Sequence, residues 1–294
     1  MTRIFRYLIE RFIRTLLVFK EGYRLRDKVM LLPYGFLQAL VGALGLLRLT
    51  QFRGWGSIYR ITIPPFGLML KNRYGLFYCR GGDDLPILCE GYELDTTKYI
   101  YTYLHRQGGV FVDIGSHVGR YTIIAGRQMG DRGKVLSIEP EPGNFAALER
   151  NLQLNNLTNV CALNVACWSS NQQLKLFLAS HGTTSHSIIG EVSQQYTFVK
   201  GLRLDDILQD LGWHAVNLIK IDVEGASPDV LAGAEETISS NDQLQIIFEA
   251  SATELEKCRE ILERHGYTLR PMAPIFNHNF LATKIGRPDG GSSI

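Results

Sequence analysis

The residues best suited to binding or catalysis begin in the stretch VFVDIGSHVGRYT, residues 110–122. Asp113 ends an apolar run there, and a short turn with two glycines follows it. The turn contains Gly115, Ser116, His117 and Gly119. Glycine can adopt positive φ, and the N–H groups at the start of a following helix attract anionic groups. The pattern predicts a ligand-binding turn at the end of a buried strand, where Asp113 could bind an ammonium group. An ordinary structural turn is the alternative.

A second acid, Glu139, ends the next predicted strand, 24 residues after Gly115. A carboxylate at that place can accept hydrogen bonds from both hydroxyls of a ribose, so the pair of features indicates a nucleoside-containing cofactor. The dinucleotide fingerprint G-x-G-x-x-G is absent, because His117 stands where its second glycine would be. The D-x-G-x-x-x-G pattern is more typical of S-adenosylmethionine binding than of NAD binding.

A further set of polar residues belongs to the predicted strand NLIKIDVE. The alternation of side chains along a strand places Lys220, Asp222 and Glu224 on one face if the strand stays regular. Glu249 ends the following strand. Three roles stay open: a general base among these residues, a structural ion-pair network, or a divalent cation held by Asp222, Glu224 and Glu249. We do not expect the metal.

The polar loop ASHGTTSHSIIG, residues 179–190, contains two histidines, His181 and His186. A loop of this kind over the carboxyl edge of a sheet could close over an acceptor. His186 is a further candidate base, because imidazole titrates near neutral pH. A solvated loop histidine is the alternative interpretation.

Apolar strand patterns and helix patterns alternate along the chain from residue 108. This alternation predicts an α/β fold with a doubly wound, mostly parallel sheet. Ligands bind such sheets outside the carboxyl ends of the strands, which is where the polar residues above lie. We expect VCALNVAC to form one strand, Ser227 to cap the helix SPDVLAGAEETIS, and YTLRPMA and NFLATK to form a closing hairpin.

The N-terminal segment is basic and apolar, with ten Lys/Arg against three Asp/Glu in residues 1–53. Residues 3–19 predict an amphipathic helix with a basic face, and residues 29–47 carry no charge. These features predict a helical, membrane-prone extension. Interfacial contact with an anionic membrane ranks above a hydrophobic collar on the domain, and both rank above a membrane-spanning helix.

The sequence divides into a basic N-terminal segment and a larger domain. The predicted divisions are residues 1–57, then 58–294, composed of a lead-in (58–107), a cofactor-binding core (108–284) and a tail (285–294). Five cysteines without a CxxC pair predict reduced thiols and a cytoplasmic protein, at the cytoplasmic face of the membrane if the N-terminal segment binds there. The rest of the chain is mildly acidic, which argues against a nucleic-acid partner.

The chain resembles the FkbM family of S-adenosylmethionine-dependent methyltransferases over residues 84–284. The resemblance is carried by the segments FVDIGSHVGRYT, SIEPEPGNFAALERNLQLNN, NVACWSS, LRLDDIL, NLIKIDVEGASPDVLAGAEETI and IIFEA. KIDVEGAS is the most specific of them. Two positions depart from the family pattern: Ser116-His117 replaces the usual Ala-Asn, and Ser227 replaces a common glutamate.

The resemblance implies the class I methyltransferase fold, which is Rossmann-like with a seven-stranded sheet and an antiparallel last hairpin. It also implies S-adenosylmethionine as cofactor and methylation of a hydroxyl, often on sugars, lipids or polyketides. The expected cofactor-binding residues are Asp113, Gly115, Ser116, His117, Gly119, Glu139 and Asp222. We therefore predict an O-methyltransferase that acts on a glycan or lipid-linked sugar. The alternatives are an inactive membrane-associated scaffold with this fold and an oxidoreductase that uses NAD or a nucleotide sugar.

Overall fold

The computed structural model describes residues 17–46, 67–81, 84–179, 186–189, 194–272 and 278–284. The chain divides into two compact units, Met1–Leu94 and Asp95–Ile294. Three predicted features lie wholly or largely outside the described residues: the amphipathic helix over 3–19, the middle of the polar loop and the C-terminal tail. The boundary between residues 57 and 58 stays a prediction.

The first unit contains a long helix and a small hairpin. A 3₁₀ turn, Leu17–Glu21, precedes helix α1, Leu25–Leu46. Strands β1, Leu68–Asn72, and β2, Gly75–Cys79, pair antiparallel as a separate two-stranded sheet, and helix α2, Asp84–Leu88, follows. The Glu21 carboxylate accepts hydrogen bonds from the Glu90 N–H and the Asn72 amide, which fastens the 3₁₀ turn to the hairpin. Among the helices of the described residues, none is both long and apolar enough to cross a membrane.

The second unit alternates strands and helices as the sequence predicts. Its elements are α3 Leu94–Gln107, β3 Gly109–Ile114, α4 Arg120–Met129, β4 Gly133–Ile138, α5 Pro142–Leu154, β5 Val160–Leu163, β6 Ala166–Cys167, β7 Gln172–Phe177, β8 Tyr196–Leu202, α6 Leu204–Leu211, β9 Leu218–Ile221, α7 Ser227–Ala232, α8 Glu235–Ser240, β10 Gln245–Glu249, α9 Ala252–Arg264, β11 Tyr267–Pro271 and β12 Asn279–Lys284.

Seven of these strands form the main sheet, in the order β11-β12-β10-β9-β3-β4-β5. Strands β5, β4, β3, β9 and β10 run parallel, and β12 pairs antiparallel with both β10 and β11. The central strands β3, β4 and β9 are apolar and largely buried, as expected where helices cover both faces of a parallel sheet. The predicted doubly wound, mostly parallel sheet with an antiparallel closing hairpin is confirmed.

A second sheet, β6-β8-β7, was not predicted. The run VCALNVAC is divided into β5 and β6, which belong to different sheets, so the prediction of one strand was wrong. The cause is Asn164, whose side-chain amide donates to the carbonyls of Glu139 and Pro140 at 2.8 and 3.0 Å. These bonds hold the chain in a turn where a continuous strand was expected.

Ser227 does not cap the helix that it begins, so that prediction was also wrong. Ala226 occupies the N-cap position without a side-chain cap, and Ser227 is the first helical residue. The Ser227 hydroxyl instead donates to the Glu249 carbonyl at 2.8 Å. This partly buried bond joins the turn after β9 to the end of β10.

Candidate functional site

The glycine turn after β3 is fitted closely against the turn after β9. Gly115 has φ of +76°, and a Cβ at this position would overlap the Asp222 carbonyl oxygen. The N–H groups of Gly115 and Ser116 both donate to the Ile138 carbonyl, at 2.9 and 3.0 Å. Only glycine combines this φ with this approach to a neighbouring backbone, so the turn requires Gly115 for a physical reason.

The rest of the turn leads into helix α4. His117 takes φ of +50°, a conformation uncommon for residues other than glycine, and its N–H donates to Glu139 Oε2 at 2.8 Å. Gly119 has φ of +87° and is the N-cap residue of α4. A Cβ at Gly119 would lie 2.5 Å from Leu148 Cδ1, so the close packing of the turn on α5 also depends on glycine.

Glu139 lies at the end of β4 and is almost completely buried. Besides the His117 N–H, its carboxylate accepts the Glu141 N–H at 3.0 Å on Oε1. Burial raises the pKa of Glu139 to about 7, although the two backbone donors oppose the shift. A carboxylate has about four acceptor positions, so Glu139 can accept a further hydrogen bond from a ligand.

Asp113 lies on β3, in register with Lys220 on the neighbouring strand β9. The Thr122 hydroxyl donates to Asp113 Oδ2 at 2.6 Å. Oδ1 is buried and has no hydrogen-bond partner among the described residues. Burial raises the pKa of Asp113, and the nearby Lys220 ammonium partly offsets this. Oδ1 is therefore available to accept a hydrogen bond from a ligand, because leaving a buried acceptor unpaired costs free energy of folding.

Lys220 and Asp222 form an ion pair beside the glycine turn, with Nζ and Oδ2 at 2.7 Å. The Lys220 side chain is buried and its ammonium lies 4.7 Å from the centre of the Tyr121 ring, whereas 27% of the Asp222 side chain is exposed. Burial raises the pKa of Asp222, but the Lys220 charge and hydrogen bond and a hydrogen bond from Glu249 outweigh it. The pKa of Asp222 is therefore below its usual range, and the carboxylate is ionised at neutral pH.

Glu224 lies beyond the strand that was expected to carry it. Strand β9 ends at Ile221, and Glu224 takes φ of +25° in the turn that follows. The alternation of side chains along the strand, which was expected to place Glu224 on the same face as Lys220, therefore does not reach it. Its side chain is exposed, and burial of part of the carboxyl together with the Asp222 charge raises its pKa. Among the described residues, no three histidine, cysteine or acidic side chains approach closely enough to hold a metal ion.

His186 lies next to a residue that joins the polar loop to this site. His186 Nδ1 accepts the Ala179 N–H at 3.0 Å. The neighbouring Ser187 hydroxyl lies within hydrogen-bond distance of two carbonyls, that of Ile189 at 2.8 Å and that of Glu224 at 3.2 Å. Sequence reasoning missed Ser187, and it also missed Thr122 and Tyr121, because a hydroxyl or a ring in a polar loop or an amphipathic helix carries no distinctive signal.

The family model described as the methyltransferase FkbM domain matches residues 113–269, more than half of the chain. The chain belongs to the FkbM methyltransferase family. It is 26% identical over 184 residues to Methyltransferase 1 of Beauveria bassiana, a match that covers 55% of this chain and 74% of that protein. It is 28% identical over 156 residues to Methyltransferase sdnD of Sordaria araneosa, covering 42% of this chain and 60% of that protein.

Solved structures show similarity at lower identity. A precorrin-6y C5,15-methyltransferase from Geobacter metallireducens is 15% identical, with a TM-score of 0.43, and the match covers 65% of this chain and 89% of that one.

The region of this chain that the FkbM family model matches includes the whole glycine turn, Glu139 and the Lys220–Asp222 pair. The prediction of an FkbM methyltransferase of class I fold, with S-adenosylmethionine as cofactor, is confirmed.

The site fits S-adenosylmethionine on the chemistry of its donors and acceptors. The cofactor supplies an activated methyl group on a positively charged sulfur. Its ammonium and ribose hydroxyls are hydrogen-bond donors, and the site offers the unpaired Asp113 Oδ1 and the remaining capacity of Glu139 as acceptors. Gly115 keeps the backbone of the turn free of side-chain bulk. In this FkbM protein these residues would hold the amino-acid and ribose parts of the cofactor.

Proposed function

We propose that this methyltransferase acts on a hydroxyl oxygen, and that the hydroxyl belongs to a glycan or a lipid-linked sugar. The observation that carries the proposal is the position of the Asp222 carboxylate. It is partly exposed and ionised, and its own backbone carbonyl contacts Gly115 of the cofactor turn. A sugar hydroxyl is a poor nucleophile at neutral pH and gains from a base that holds and removes its proton.

Asp222 and Lys220, which form an ion pair, have different roles in this proposal. Asp222 would accept a hydrogen bond from the acceptor hydroxyl and take its proton. Lys220 would hold the carboxylate in one position, because its ammonium is buried and donates to Oδ2 at 2.7 Å. Alignment of a bound nucleophile is a large part of catalysis in displacement reactions, so the fixed geometry is as important as the basicity of the carboxylate.

The proposed access to lipid-linked sugars is supported by the surface of helix α1. Four apolar residues spaced three or four apart are exposed along one side, including Leu25 at 79% and Phe36 at 69%. They are Leu25, Val29, Leu32 and Phe36. Leu31 and Tyr34 are buried on the opposite side, and exposed Arg24 and Lys28 flank the exposed stripe. An apolar helix face beside cations is typical of interfacial membrane helices.

We propose that this stripe contacts anionic lipid from the cytoplasmic side. The five cysteines are all free thiols in the structure, in keeping with a reducing compartment. Lys28 and Arg24 would meet anionic headgroups, while the apolar stripe would enter the boundary between headgroups and acyl chains.

The proposed chemistry is tested by comparing Asp222→Asn with Glu224→Gln. Methyl transfer to a panel of glycans and lipid-linked sugars is measured with labelled S-adenosylmethionine, and mass spectrometry identifies the methylated oxygen. We expect Asp222→Asn to lower the transfer rate at saturating S-adenosylmethionine by about 10²-fold or more. Binding of S-adenosylhomocysteine is measured separately, because Asp222 is also an expected cofactor-binding residue.

Glu224→Gln is the control, because Glu224 is exposed and lies beyond the strand. It should retain most of the activity. Loss of transfer in Glu224→Gln with activity preserved in Asp222→Asn would refute the assignment of the base. A methyl group found on nitrogen or carbon would refute O-methylation.

A further inference from the structure

The hairpin β7–β8 exposes an aromatic face with positive charge. Its outward side chains come from alternate residues of both strands: Gln173, Lys175, Phe177, Tyr196, Phe198 and Lys200. Phe198 is 56% exposed and Tyr196 is 46% exposed. Exposed aromatic rings grouped on one face mark interaction sites more often than isolated ones do.

The rings are held in place by contacts with one another. The Tyr196 ring lies edge-to-face against Phe177 at 6.1 Å and against Phe198 at 5.6 Å between centres. The Lys175 ammonium lies 4.3 Å from the centre of the Tyr196 ring. The opposite face of the hairpin is packed, since Leu174, Leu176 and Val199 form a small core there. The rings of the aromatic face thus contact one another, are backed by a packed core, and are presented to solvent.

The charge on this face is positive. Lys175 and Lys200 project from it, and none of its six outward residues is acidic. Among the ion pairs of the described residues, none involves either lysine. A shallow cavity of about 360 Å³ at the Lys200 end is lined by Phe198 and by the amide residues Asn171, Gln172 and Gln173. Aromatic rings, amides and lysines that form no ion pair with the described residues together suit a ligand with apolar C–H faces, hydroxyls and negative charge.

The aromatic face is connected to the candidate site. At its other end, Phe177 exchanges two backbone hydrogen bonds with Ser187, at 2.8 and 3.0 Å. The Ser187 hydroxyl, which also reaches the Ile189 carbonyl, lies 3.2 Å from the carbonyl of Glu224, two residues after Asp222. From Lys200 to Tyr196 the strand is roughly 13 Å long at about 3.3 Å per residue. The face is therefore an extended surface that begins beside the turn carrying Asp222.

We propose that this face binds the chain of an acidic saccharide acceptor, with sugar rings packed on Phe198 and Tyr196 and carboxylates near Lys175 and Lys200. The inference rests on the proposed sugar acceptor and names where the non-reacting part of that acceptor binds. Binding energy from remote parts of a substrate positions its reacting group, which gives the face a role in specificity as well as affinity.

The test measures binding directly by calorimetry, with the full chain saturated with S-adenosylhomocysteine. The probes are an oligogalacturonate hexamer, a neutral maltohexaose and vesicles of phosphatidylglycerol and phosphatidylcholine. We expect the acidic hexamer to bind more tightly than the neutral one, and the double variant Tyr196→Ala/Phe198→Ala to weaken its binding by about tenfold or more. Lys200→Gln should weaken it less and reduce its salt dependence.

Tyr101→Ala is the matched control, because Tyr101 is 41% exposed on α3 and lies outside the aromatic face. It should leave hexamer binding unchanged. Binding of S-adenosylhomocysteine reports folding of every variant and is independent of the sugar. The proposal is overturned if no hexamer binds, if both hexamers bind equally, if the double variant binds as the wild type does, or if only vesicle binding responds to it. A protein that methylates no sugar but binds the hexamer would refute the proposed function and leave this surface supported.

Discussion

Replacement of Glu139 by glutamine tests whether this buried carboxylate binds the ribose. Burial raises the pKa of Glu139 to about 7, so the carboxyl is about one tenth ionised at about pH 6 and about nine tenths ionised at about pH 8. Ribose hydroxyls donate to the ionised form. The affinity for S-adenosylhomocysteine should therefore rise by about tenfold over this range, a change of about 1.4 kcal/mol.

Calorimetric titration across the pH range measures this effect. Glu139→Gln should bind S-adenosylhomocysteine about tenfold more weakly than the wild type at about pH 8, with an affinity that no longer depends on pH. Glu149→Gln is the control, since Glu149 is an exposed acid on α5. A wild-type affinity that is flat between about pH 6 and about pH 8, or an unchanged slope in Glu139→Gln, would refute the reasoning.

The same pKa shift has a consequence for the stability of the unliganded protein. Because the pKa of Glu139 is higher in the folded state than its ordinary value of 4.5, the folded state holds the proton more tightly. The contribution of this group to stability is present in full below about pH 4.5 and is lost as pH rises to about 7, a change of about 3 kcal/mol. Thermal unfolding should show a smaller loss of stability with rising pH in Glu139→Gln than in the wild type.

Four further substitutions have expected outcomes. Gly115→Ala should abolish cofactor binding, because a Cβ at this position overlaps the Asp222 carbonyl oxygen. Gly212→Ala is its control, because Gly212 also has positive φ, +65°, but has open space around it. Gly212→Ala should lower the free energy of unfolding, measured by thermal unfolding, by only about 1–2 kcal/mol. Lys220→Met should raise the pKa of Asp222 and so move the acidic limb of the pH–rate profile to higher pH. An acidic limb at the same pH as in the wild type would contradict the conclusion that Lys220 lowers the pKa of Asp222. Phe36→Ser should weaken co-sedimentation of the protein with anionic vesicles and leave cofactor binding unchanged, because Phe36 is an exposed residue of the apolar stripe. If the variant co-sediments as strongly as the wild type, the support for lipid contact through α1 is lost.

The sequence was sufficient for the central strands of the main sheet because they are short, largely apolar runs separated by helix patterns. It was insufficient for the sheet β6-β8-β7. Strand β6 is only two residues long, Ala166–Cys167, and has no pattern of its own. Its existence depends on the turn that Asn164 makes with two carbonyls from the end of β4, a contact between segments far apart in the chain. Local periodicity contains no information about such a contact.

Some residues of the candidate site could likewise be predicted from the sequence, and others could not. The glycine turn, Asp113 and Glu139 were predicted from spacing, because each lies at or next to the end of a strand, and their role in binding the cofactor stays a prediction. The alternation rule brought Lys220 and Asp222 together, and they lie 2.7 Å apart. It did not extend to Glu224, because the chain leaves the strand after Ile221 and the backbone of Glu224 turns to positive φ. The rule holds only as far as the ladder of backbone hydrogen bonds does.

The contact between Gly115 and Asp222 links cofactor binding to the proposed acceptor chemistry. The Asp222 N–H donates to the Ile114 carbonyl at 2.9 Å, and its own carbonyl lies against the Cα of Gly115. Any movement of the glycine turn therefore moves the backbone that carries the carboxylate. Ser187 is bonded to the same segment through the Glu224 carbonyl, and Phe177 of the aromatic face is bonded to Ser187. The glycine turn, the proposed base and the proposed sugar surface are thus joined by a short series of backbone contacts and by the Ser187 hydroxyl, so a cofactor bound at the glycine turn can position the base and the acceptor together.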